Sequence, residues 1–70
     1  MNDLAKEYIE GGMGSSIALR EELETRFKRA YDGGEINNGE YNLLVISAGN
    51  WDMQGVMRLL AGLSCRGIEM

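Results

Sequence analysis

From Tyr41 to Cys65 the chain carries only two charged residues, Asp52 and Arg58, while 15 of those 25 residues are apolar. Residues 1–40, by contrast, hold fourteen of the eighteen charges. The chain therefore divides into a polar N-terminal half and an apolar C-terminal hairpin. The corner of the hairpin reads from "AGN", with Gly49 suited to end one helix and Asn50 to cap the next. Ahead of it, Tyr41, Leu43, Leu44, Val45, Ile46 and Ala48 project around a whole helical circumference. A helix apolar all round is expected to be central and buried. A strand over "NLLVIS" is the rival, and it fails because no second segment looks able to pair with it. After the corner, Met53, Val56, Met57, Leu60 and Leu63 form a wide apolar face, with Leu59 at its margin and Gly67 placed to end it.

The clearest helix is the segment from about Ser16 to Tyr31. Leu19, Leu23, Phe27, Ala30 and Tyr31 make one stripe, and the charges fall on the opposite face. Arg20–Glu24, Glu22–Arg26 and Glu24–Lys28 are each four apart, which suits pairing along an exposed helix. A self-paired solvated face explains this run of charge better than a basic patch at Arg26, Lys28 and Arg29. Upstream, Leu4 and Tyr8 share a face of a short helix capped by Asn2 or Asp3. "GGMGSS" at 11–16 follows a helix and precedes no lysine, so it reads as a flexible linker, with Ser15 or Ser16 capping the next helix. The expected fold is all-α, a single domain over 1–70. It has three main helices at about 16–31, 38–48 and 51–66, plus a short one at about 3–10.

Composition excludes several ways of stabilising so small a core. Cys65 is the sole cysteine, so no disulfide forms within a monomer, and without histidine a zinc site lacks its usual ligands. The longest uncharged stretch, Tyr41–Trp51, is too short to span a bilayer, and the charged start "MNDLAKEYIE" is unlike a signal peptide. A reducing, cytoplasmic setting is expected. The net charge of −4 disfavours direct nucleic-acid binding, which needs a basic face. Of the five methionines, Met53 and Met57 are assigned to the core, with Met13 and Met70 in flexible segments.

"YDGGEINNGEYNLL" at 31–44 resembles the second half of an EF-hand loop, with Gly34, Ile36, Glu40 and Tyr41 at matching places. The front of such a loop would fall on Arg29, Tyr31 and Gly33, none of which brings a carboxylate. Calcium needs about six to eight oxygens, so no metal is expected. The same letters make a capping box, Asn37-x-x-Glu40, with Ile36 stapling onto Tyr41. A DNA-reading role for the helix after this turn fails because it offers Leu, Val, Ile and Ala to the groove. No histidine-based pair exists for nucleophilic catalysis, and neither an enzyme nor a cofactor is expected.

The candidate site lies on the last helix. If that helix starts at Trp51, then Trp51, Gly55, Arg58 and Gly62 share its back. Two interior glycines cost about 1 kcal/mol each relative to alanine and call for a reason. A smooth strip between tryptophan and arginine would suit a partner's backbone. The competing reading turns Trp51 inward to seal the corner. The expected function is a small acidic protein-binding module of the inhibitor or adaptor kind encoded by phages and mobile elements, such as an anti-defence protein. It would engage an unidentified protein partner through Trp51, Gly55, Arg58 and Gly62, helped by Glu21, Glu22 and Glu24. The alternatives are an obligate homodimer built on the apolar hairpin, and, less favoured, a nucleic-acid mimic or nucleic-acid-associated regulator.

Overall fold

The computed structural model describes residues 3–69, without the side chain of Met13, and within them four α-helices and no strand. Helix α1 spans Asp3–Gly11, α2 Ile17–Asp32, α3 Asn38–Gly49 and α4 Met53–Cys65. The chain is all-α as expected; Asn2 and Met70 lie outside the described residues. Within the Gly/Ser segment, Gly12–Gly14 form a 3-10 turn, and the Ser15 hydroxyl donates to the Tyr8 carbonyl at 3.0 Å.

Side chains set where the helices begin. Ser16 accepts from the Leu19 amide at 3.1 Å and starts α2. At α3 the capping box is complete: Asn37 accepts from the Glu40 amide at 2.8 Å, and Glu40 accepts from the Asn37 amide at 2.9 Å. Helix α4 departs from expectation. Its cap is Asp52, which accepts from the Gly55 amide at 2.9 Å, so the helix opens at Met53 rather than Trp51.

Three helices end in the same paired pattern, in which the two residues past the cap bond back into the last turn. After α2, Gly34 bonds to Tyr31 and Glu35 to Ala30; after α4, Gly67 bonds to Ser64 and Ile68 to Leu63. Gly34 and Gly67 hold φ of 79° and 82°, the left-handed conformation this motif requires. After α3, Trp51 bonds to Ala48 and Asp52 to Ser47, so the left-handed place falls to Trp51, at φ 57°. The corner thus turns two residues later than Gly49 suggested. A left-handed L-residue costs about 1–2 kcal/mol, so tertiary contacts must hold Trp51 there.

Helix α3 packs between α2 and α4, and α1 closes the opposite side by packing on both of them. Ala5, Tyr8, Leu23, Phe27, Ala30, Ile36, Leu44, Ala48, Val56, Leu60 and Leu63 form one continuous core. The stripes of α2 and α4 are therefore those the spacing indicates, except that Met57 stands 44% exposed. Helix α3 corrects a second expectation, because only Leu44 and Ala48 are buried. Leu43 and Ile46 stand 54% and 59% exposed. Helices α2 and α4 pack along α3 and α1 meets it at Ala48 near its end, and the face that carries Leu43 and Ile46 stays open among the described residues.

The predicted ion pairs shift in register. Arg20 meets Glu24 at 3.6 Å as expected, but Lys28 turns to Asp32 at 3.1 Å instead of Glu24. That hydrogen bond raises the Lys28 pKa. It also leaves the ammonium over the stacked rings of Tyr31 and Tyr41, which join α2 to α3 at 5.1 Å between centroids.

Tyr8 is fully buried and donates to the Ala48 carbonyl at 2.7 Å. Burial raises its pKa above the ordinary 10, with Arg20 opposing and Glu24 and Asp52 adding to the rise. A raised folded-state pKa means that stability is fully present below the unfolded value and falls as pH climbs toward the folded one. Tyr8→Phe is expected to lose about 1 kcal/mol at neutral pH. Above about pH 10 the parent should lose stability more steeply than this variant, as read by denaturant melts across the alkaline range.

Candidate partner-binding groove

The four residues expected to form one strip have three separate settings. Trp51 lies outside α4, with its ring stacked on Tyr8 at 5.6 Å and 15° between planes. The Arg20 guanidinium covers the ring, 5.4 Å from its centroid. Trp51 is half-buried at this junction of α1, α2 and the α3–α4 corner. The inward reading of the tryptophan is the one the geometry matches: Asp52 and not Asn50 caps α4, and Trp51 lies in the preceding turn.

Gly55 is accounted for by the same cap. A Cβ placed there would run into the Asp52 carboxylate that its amide binds. The glycine leaves room for the carboxylate in this position at the helix start.

Arg58 and Gly62 do come together, on the flank of α4 that faces α3. They line a groove of about 250 Å³ with Leu59, Leu63 and Arg66 of α4, and with Glu40 and Leu44 of α3. A Cβ on Gly62 would meet nothing within 4 Å, so the glycine keeps this space open. Arg66 binds Glu40 at 2.7 Å across one end. Glu40 thus uses one oxygen to cap α3 and the other to tie the end of α4 to its start. Arg58 is exposed and has no ion-pair or hydrogen-bond partner among the described residues. On α3, Leu43 adjoins the groove residue Leu44 and lies three positions after Glu40, with Ile46 one turn further on.

The acids proposed to assist are elsewhere. Glu21 and Glu22 are exposed on α2, and Glu24 is engaged with Arg20. None of the three lines the groove. Arg66 was the residue that spacing could have found, since 58, 62 and 66 advance by four. Glu40 and Leu44 carried no such signal, because only the packing of α3 on α4 brings them in.

At about 250 Å³ the space is smaller than the roughly 300–1,000 Å³ typical of small-molecule sites. It has the size for one apolar side chain inserted from a larger partner. Among the described residues no cluster of three or more His, Cys, Asp or Glu is placed to hold a metal ion. No helix among them is long and apolar enough to cross a membrane. No protein-family model, curated protein or solved structure matches the chain.

The two helix glycines should respond differently to alanine. Gly62→Ala is expected to raise stability by about 1 kcal/mol, whereas Gly55→Ala should gain less than that or lose, because the Asp52 cap must move. Trp51 offers a sharper contrast. Trp51→Gly should cost less than Trp51→Ala by about 1 kcal/mol, since both lose the ring but only glycine relaxes the left-handed backbone. Thermal and urea melts of the four variants measure both differences.

Proposed function

We propose that this chain is a non-enzymatic protein-binding module that acts by occupying a partner's surface, as an inhibitor or adaptor. The observation that carries this reading is the apolar face left open on α3. Leu43 and Ile46 stand 54% and 59% exposed on α3, Leu43 one turn on from the groove residue Glu40 and Ile46 further round the helix. Fully burying each side chain from water would contribute about 1.5–3 kcal/mol, so covering the remaining half of both is a substantial gain for an associating surface. An apolar centre bordered by charged side chains is also the usual composition of a binding patch. The binding surface is accordingly taken as Leu43, Ile46, Arg58 and Gly62. Trp51 and Gly55 belong to the corner at the other end of the α3–α4 hairpin, and Glu21, Glu22 and Glu24 do not line the groove.

The same open face favours a second reading, an obligate homodimer in which another copy covers α3. With 70 residues and a small core, association would complete what the monomer cannot bury.

A photo-crosslinking residue at position 43, in the chain expressed in its source cells, separates the readings. The expected product is a discrete adduct with a different protein, lost when Gly62→Leu fills the groove. An adduct only with itself, together with concentration-dependent sedimentation, would establish the homodimer. No adduct of either kind would sink the binding-module reading.

A further inference from the structure

The charge around the groove is opposite in sign to the charge of the chain. The protein carries −4, yet the groove is lined by two arginines and one glutamate. The glutamate, Glu40, is already matched to Arg66 at 2.7 Å. This leaves Arg58 as an exposed guanidinium without a partner among the described residues, beside the apolar floor of Leu44, Leu59 and Leu63. A guanidinium presents a planar fork of donors that fits a carboxylate in two parallel hydrogen bonds.

Resting on the protein-binding reading above, we propose that the groove between α3 and α4 takes an acidic helical segment of a partner protein. An apolar side chain of that segment enters over Gly62, and a carboxylate one helical turn away pairs with Arg58. The volume of about 250 Å³ suits a single anchor of this kind. Spacing by one turn is what places an anchor and an acid on the same face of the incoming helix. The Arg66–Glu40 pair closes one end and leaves Arg58 as the side chain that selects for negative charge. A nucleic acid is a poorer fit, because a phosphate backbone calls for many cations and this surface offers one unmatched charge. A second copy has a segment of related chemistry, since Ile17 is 60% exposed and precedes exposed Glu21 by one turn on α2. The test must therefore separate self-association from capture of another protein.

The full chain is used to select binders from a random peptide library, and the selected peptides are synthesised with a fluorophore for anisotropy. The expected peptides carry Leu, Ile, Met, Phe or Trp three or four positions from Asp or Glu. Arg58→Glu should weaken them by about tenfold or more, and replacing the peptide's acid with lysine should restore affinity for that variant. Gly62→Leu, whose side chain enters open space in a helix and so should leave the circular-dichroism spectrum intact, should abolish binding. If Gly62→Leu abolishes binding while Arg58→Glu leaves it unchanged, the acidic chemistry is wrong although the groove still binds protein. Selection that enriches nothing, or binders indifferent to both substitutions, overturns the groove as well. Sedimentation showing a dimer that Gly62→Leu or Ile17→Asp dissolves assigns the groove to a second copy and overturns the proposal. Tight binding of a fluorescent single-stranded oligonucleotide, abolished by Arg58→Glu, overturns it in favour of nucleic acid.

Discussion

The hydroxyl of Tyr8 and the carbonyl of Ala48, 2.7 Å apart, join residues separated by forty positions. Helix α1 has only nine residues, too few to persist alone in water, and its place depends on this bond and on the buried ring around it. Helix α1 in turn closes the bundle on the side opposite α3, packing on both α2 and α4. The Tyr8 ring also forms the surface on which Trp51 stacks, with Arg20 above. One side chain therefore anchors the first helix, supports the corner between the last two, and reaches the second through Arg20.

That corner is where local preference and tertiary packing compete. The backbone at Trp51 would suit glycine, as it does at the equivalent places after α2 and α4, where Gly34 and Gly67 stand. A tryptophan is held there because the ring gains more from Tyr8 and Arg20 than the backbone loses in the left-handed conformation. The cost of about 1–2 kcal/mol is of the same order as an aromatic stack plus a partly desolvated cation–π contact. Once Trp51 occupies the turn, Asp52 falls into position to cap α4, its carboxylate lying where a Cβ on Gly55 would stand.

Geometry of this kind leaves α3 with two covered flanks and one open one. The helix brings more apolar side chains than its neighbours can bury, and the surplus, Leu43 and Ile46, stays exposed. Glu40 stabilises that region twice, by capping α3 and by binding Arg66, so the groove is bordered by fixed elements and not by loops. A surface that is apolar, rigid and kept open by a glycine is what the proposed function rests on.

What local chemistry decides was legible in the residues. The capping box at Asn37 and Glu40, the Ser16 cap, the Gly34 and Gly67 turns and the stripes of α2 and α4 follow from interactions between residues a few positions apart, and these operate before any tertiary structure exists. For the same reason the class and the approximate helix limits could be read directly. The site was legible only at Arg58 and Gly62, whose shared flank follows from helical spacing. Trp51 was misplaced by two residues because Gly49 and Asn50 are good local choices for the corner, while the later turn, which Asp52 caps, also gains the contacts with the distant Tyr8 and Arg20. Glu40 and Leu44 joined the groove, and Leu43 and Ile46 stayed exposed, for a reason no spacing contains. Which face of an all-apolar helix meets water depends on how many neighbours the chain can supply, and that is settled when the helices pack.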